Sequence, residues 1–222
     1  GMTATARIWP HRSPGEGHFC ALLEKVSILD AESAQSNLNW VPEVGPEAAW
    51  SAFREFCLRT LTPSGVNRLD RDLMAGSRRY ENGHLHLLPA CPNGLSVLKK
   101  VKTGLFLGQV KPIRQTGFTF EPSHALLLSL RADELRYTVA SEGHSDLVRR
   151  YLRGETLSLD GEDRTGQLRP LVHPDDGNHW PDGRLGAVML SDGCHAWPLG
   201  WARMTTNPLL KNLYPPGWRR SS

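Results

Sequence analysis

The chain has 222 residues and 24.7 kDa, with 39% hydrophobic residues, 22% charged residues and a formal charge of +3 at pH 7. That is enough chain for one large or two small folded domains. Aromatics at 8% and a mean hydropathy of -0.39 are globular values that exclude an acidic disordered tail and a membrane protein by composition.

No stretch approaches the ~18 uninterrupted apolar residues of a membrane-spanning helix. No apolar run follows a basic start, so no secretory signal is expected, and Gly1 ahead of Met2 reads as a scar of tag removal, with Met2 the natural start. Cys20, Cys57, Cys91 and Cys194 are scattered, with no C-x-x-C pair to hold zinc or form a redox couple. A reducing cytoplasm fits that usage.

Along the chain, residues 6–26 read as a hairpin: a short run through Ile8 and Trp9, a turn rich in Pro and Gly, then an apolar run from His18 to Leu23. A polar linker over 32–39 leads to Pro46, a favoured first helical position. From 47 to 61, Trp50, Phe53, Cys57 and Leu61 recur at spacings of three and four, which puts them on one helix face and makes Cys57 a core residue rather than a nucleophile. Glu47 and Arg59 complement the dipole of that helix.

Short strands follow over 78–81, 84–88, 97–101 and 105–110, with Asn82-Gly83 as a strong hairpin signal. His84 and His86 share one strand face opposite Leu85 and Leu87. That pair reads either as a half-exposed face or as a contact to RNA or a metal.

Pro122 is expected to open a second helix carrying Ala125, Leu126, Leu127 and Leu130, after the aromatic pair Phe118 and Phe120. A third helix has Ser145 as N-cap, Asp146 in its first turn, Leu147, Val148, Tyr151 and Leu152 inward, and Gly154 as its stop. Strand-like runs over 155–159, 185–190, 194–204 and 209–213 then resemble a small β-barrel with a helix at its mouth. The loop over 171–183 holds His173, Asp175, Asp176 and His179, but their spacing matches no zinc or calcium template, so no metal site is expected.

Charge is uneven. Residues 99–153 hold ten Lys/Arg against five Asp/Glu, 154–199 hold three against eight, and 200–222 hold four against none. Clustered cations suit phosphate backbones, because each neutralised phosphate releases counterions.

Three stretches carry a family resemblance. Arg7-Ile8-Trp9-Pro10-His11-Arg12 with Gly15-Glu16-Gly17-His18-Phe19 resembles the segment closing the catalytic domain of Sun-type RNA cytosine-5 methyltransferases, particularly the bacterial RsmF group. Lys102-Thr103-Gly104-Leu105-Phe106-Leu107-Gly108 and Phe120-Glu121-Pro122-Ser123-His124-Ala125-Leu126, within 98–130, resemble the domain that follows. Trp197-Pro198-Leu199-Gly200-Trp201 and Leu210-Lys211-Asn212-Leu213-Tyr214-Pro215-Pro216-Gly217-Trp218-Arg219 resemble its terminal PUA-like RNA-binding domain. The three lie in the family's order.

The resemblance implies an α+β chain: a hairpin remnant plus linker over 1–40, a mixed α/β middle module over 41–132, and a PUA-like β-barrel over 133–222. The catalytic features of those enzymes, a glycine-rich S-adenosylmethionine loop and two cysteines, one in a Pro-Cys motif, are not legible here. Pro89-Ala90-Cys91-Pro92 lies in the wrong region. Methylation at C5 needs a thiolate and a flipped base beside the cofactor. No catalytic residue and no cofactor are therefore expected, and the chain reads as the enzyme's C-terminal half.

A PUA-like barrel binds structured RNA through shape and backbone contacts. Lys211, Arg203, Arg219 and Arg220 supply cations for it, Asn212 a two-way amide, and Tyr214 and Trp218 rings for stacking. Trp197 and Trp201 read as packing. Lys99, Lys100, Lys102, Lys111 and Arg114 either continue the phosphate-binding surface or are solvated. Trp9, Pro10, His11 and Arg12 would dock on a separate methyltransferase subunit or fold back onto 40–61, since a hairpin without its sheet has bare edges.

The expected function is non-catalytic recognition of structured, ribosomal RNA. The alternatives are the RNA-binding half of a split cytosine-5 methyltransferase and a protein-interaction module without RNA binding.

Overall fold

A computed structural model of the chain describes residues 5–8, 18–21, 45–88, 104–113, 117–142, 145–158, 169–172, 180–206 and 209–220, with backbone alone for 5–8, 18–21 and 169–172. Contacts divide it into two units, 1–39 and 40–222. In the first, β1 (Thr5–Ile8) pairs antiparallel with β2 (His18–Ala21), Ile8 opposite His18. The hairpin is as expected from sequence. Trp9, Pro10, His11 and Arg12 lie outside the described residues.

The second unit opens with α1 (Glu47–Thr60), whose apolar stripe buries Trp50, Phe53 and Cys57. Pro63 ends it, because the residue before a proline avoids helical backbone. The same proline starts α2 (Pro63–Ala75), with the Thr62 hydroxyl accepting from the Gly65 N–H. This helix has no counterpart in the sequence reading, since Gly65 and four charged residues blur its apolar stripe.

A four-stranded antiparallel meander follows: β3 (Ser77–Glu81), β4 (His84–Leu88), β5 (Leu105–Ile113) and β6 (Gly117–Pro122). Asn82 and Gly83 both take positive φ, 48° and 83°, as a type I′ turn requires. Phe118 and Phe120 belong to β6, not to a helical lead-in. Ser123 rather than Pro122 caps the short α3 (His124–Leu128), its hydroxyl oxygen accepting from the Leu126 N–H at 2.9 Å. The strand expected over 97–101 lies outside the described residues.

The remaining strands form a mixed six-stranded sheet in the order β8 (Leu157–Ser158), β12 (Leu209–Asn212), β11 (Ala196–Met204), β10 (Leu185–Ser191), β7 (Tyr137–Glu142), β9 (Arg169–Val172). Strands β7 and β10 run parallel and the other neighbours antiparallel. Between β7 and β8 stands α4 (Asp146–Arg153), with Ser145 as N-cap and Gly154 left-handed at its end, as the sequence predicts. Among the described residues the sheet has two edges, β8 and β9.

One face of this sheet, through Ala187, Met189 and Trp201, shares a core with α1, α2, α3 and the four-stranded sheet. The other, through Val139, Val188, Ala202 and Leu210, packs on Leu147 and Tyr151 of α4. Residues from both sides of position 132 therefore make one core. No helix among the described residues is long and apolar enough to cross a membrane.

Cys57 sits inside this core, and burial, with the Asp70 charge adding to it, pushes its thiol up to about 12. The thiolate is the reactive form. Peptide-resolved alkylation of the native protein at pH 8 is expected to label exposed Cys194 in minutes and Cys57 only after unfolding. Equal labelling rates would contradict the buried position.

Candidate nucleic-acid interface

The sequence-predicted cations divide into a sheet pair and a tail. Arg203 in β11 stands directly opposite Lys211 in β12, and both are exposed. Cross-strand partners share a face. Arg203 also follows Trp201 by two residues, so the row Leu185, Arg203, Lys211 continues the core face of the sheet out into solvent.

The tail is stitched to α4. Asn212 is buried, its amide NH2 donating to the carbonyls of Tyr151 (2.7 Å) and Glu155 (3.0 Å) while its Oδ1 accepts from the Tyr214 N–H at 2.8 Å. That spends the amide on backbone. Asn212 positions the tail, in place of the RNA contact expected from its residue type.

Beyond it, the turn Pro216–Trp218 brings the tail back over the helix end, where the Arg220 N–H donates to the Leu152 carbonyl at 3.1 Å. Arg219 donates to the Tyr214 carbonyl at 3.3 Å and lies against Gly154. Cations at a helix C-terminus meet the negative end of its dipole. Arg153, Arg219 and Arg220 are exposed around that end.

Gly154 makes the approach possible. Its φ is +90°, and a Cβ there would fall 2.5 Å from Arg219 Nε. Gly154→Ala is expected to cost ~1–2 kcal/mol through the left-handed backbone alone. Urea unfolding measures it, and an unchanged midpoint would count against the left-handed conformation at Gly154.

Trp218 is 58% exposed, with one edge on His124 at 5.0 Å between centroids, while Tyr214 is half-buried between His124 and Tyr151. Burial holds the His124 ring below its usual range. Its Nδ1 is buried without a hydrogen-bond partner. His124 is a neighbour the sequence reading missed, because α3 and the tail are far apart in the chain.

Trp197 and Trp201 separate. Trp201 is buried and donates its indole N–H to the Ser123 carbonyl at 2.8 Å, whereas Trp197 is 49% exposed beside His195. Packing was expected of both. A bulge explains the difference: Val188 pairs with Gly200 but Met189 with Pro198, so Leu199 is an extra residue that turns Trp197 to the opposite face.

Lys111 is exposed on β5 and ion-paired with Glu121. Lys99, Lys100, Lys102 and Arg114 lie outside the described residues, as do His173, Asp175, Asp176 and His179. His84 and His86 both pack on Phe106, at 5.4 and 5.1 Å, a half-buried strand face. Burial, with the Arg79 charge adding to it, holds His86 low. Among the described residues no three His, Cys, Asp or Glu gather to hold a metal.

Residues 55–130 match the family described as RsmF rRNA methyltransferase first C-terminal domain. That stretch runs from mid-α1 through α2, the four-stranded sheet and α3, and its match supports the resemblance to the C-terminal portion of RsmF-like rRNA methyltransferases. The match covers about a third of the chain and ties it to RNA.

Proposed function

We propose that this chain binds structured ribosomal RNA without catalysing a reaction itself, its second half acting as a PUA-like module. The observation that carries this reading is the acid-free stretch 200–222, whose four cations, Arg203, Lys211, Arg219 and Arg220, are all exposed. The family match beside it supplies the RNA context. The two basic groups flank the end of the sheet where Asn212 anchors the chain, with Trp218 offering an exposed ring for an unpaired base.

Phosphate contacts of this kind position RNA without reading its sequence. Anisotropy of a folded small-subunit rRNA fragment, titrated with the purified chain across a salt series, tests the proposal. Log affinity is expected to fall linearly with log salt, and Lys211→Ala to reduce the slope by about one. No binding at low salt overturns it and shifts attention to a protein partner. Methyl transfer on adding a separately encoded catalytic domain would make the chain the RNA-binding half of a split enzyme.

A further inference from the structure

Where α1, β6, the start of β10 and the end of β11 converge, a cleft of about 370 Å³ opens. One wall is aromatic: Phe56, Phe118 and Phe120, with the Phe56 and Phe120 rings 5.0 Å apart and Phe56 edge-on to Trp201 at 6.0 Å. Phe118 is half-buried, so part of it faces the opening.

The facing wall is cationic. Arg184 and Arg203 line it, held as neighbours because Leu185 pairs with Arg203 and the Met204 N–H donates to the Arg184 carbonyl at 3.0 Å. Arg59 lines it too, but is neutralised by Glu55, the one carboxylate in the lining. Neither Arg184 nor Arg203 has an ion-pair partner among the described residues. Two guanidinium groups without an ion-pair partner among the described residues, lining the same cleft as an aromatic wall, raise the local potential for an anion that also carries a flat apolar part.

We infer that this cleft takes one unpaired nucleotide of a bound RNA strand, its base against Phe118 and its phosphate on Arg184 and Arg203. The volume lies within the range of small-molecule sites. A strand is favoured over a free nucleotide because Arg203 belongs to both the cleft and the exposed Arg203–Lys211 row, which gives the neighbouring phosphates a continuous path. The aromatic wall comes from the family-matched stretch and the arginine wall from the second sheet, so the site exists only when both are present. This inference rests on the RNA-binding reading above.

The test uses the full chain and a fluorescent single-stranded RNA octamer containing 4-thiouridine, with Arg184→Ala, Phe118→Leu and Phe118→Ala as variants. Arg184 is exposed and its side chain makes no hydrogen bond or ion pair among the described residues, so its variant is expected to keep the fold; circular dichroism and a melting curve check this and the Phe118 pair. Expected are a photo-crosslink to the peptide holding Phe118, about tenfold weaker binding for Phe118→Ala with a smaller loss for Phe118→Leu, and a salt slope lowered by about one for Arg184→Ala. Binding that responds to Lys211→Ala but to none of these variants, with no crosslink at Phe118, overturns the cleft and leaves the RNA reading standing. Adenosine monophosphate competing as well as an unlabelled octamer of equal concentration overturns the in-strand assignment. No binding of the octamer or of the rRNA fragment at low salt removes both readings together.

Discussion

Replacing Arg68 with alanine is expected to lower stability by ~3–5 kcal/mol, the cost of leaving a buried carboxylate without its partner. Arg68 in α2 forms a two-pronged contact with Glu134, whose side chain is 6% exposed, and Nη2 to Glu134 Oε2 measures 3.0 Å. The same guanidinium donates to the Ser129 carbonyl and to Asp72, both at 3.0 Å, while Glu134 accepts from the Arg131 N–H at 2.8 Å. One ion pair thus ties α2 to the crossing from α3 into β7.

The surroundings leave no room for adjustment. A Cβ on Gly65 would sit 2.6 Å from the Glu134 carbonyl, and the Thr62 N–H and hydroxyl bond the carbonyls of Glu134 and Asp133. Urea denaturation of Arg68→Ala, Glu134→Gln and the double variant reads the coupling directly. Each single change should destabilise strongly and the double change by less than their sum. Additive or sub-kilocalorie effects would show that the pair contributes nothing as a pair.

Trp201→Ala is the second large effect, at ~3–5 kcal/mol for a buried tryptophan truncated in a packed core. The ring is 3% exposed, packs on Phe56 and bonds the Ser123 carbonyl through its indole N–H. Trp201→Phe keeps most of the contact area but drops that hydrogen bond, for a loss of ~1 kcal/mol.

Because Trp201 joins the six-stranded sheet to the family-matched domain, its removal should do more than lower the midpoint. Native-state hydrogen exchange is expected to show amides of β10 and β11 opening separately from those of β4 and β5, where the unaltered protein protects both together. Equal protection of the two sheets in Trp201→Ala would refute that linking role. Trp197→Ala, at an exposed site one bulge away, should cost little and serves as the control.

Much of this molecule is legible as residues. The stripe from Trp50 to Leu61, the turn at Asn82-Gly83, and the frame of Ser145 and Gly154 around α4 are local devices: periodicity, a dipeptide that tolerates positive φ, and a cap. They act through neighbours a few positions away, so sequence states them in full. The family resemblance also came from sequence, through contiguous motifs, and the match over 55–130 bears out that part of it.

What tertiary structure alone decided depends on distant partners. Asn212 has the residue type of an RNA contact, yet Tyr151 and Glu155 lie 61 and 57 positions upstream and take both its amide hydrogens. Trp197 and Trp201 sit at equal footing in the chain until the unpaired Leu199 reverses one of them. The grouping of Arg59, Arg184 and Arg203 on one cleft is of the same kind. Sequence determined which groups are available and where the chain turns; pairing register and burial decided which of those groups are spent inside and which face the solvent, because both are set by strands and helices that meet only once the chain has folded.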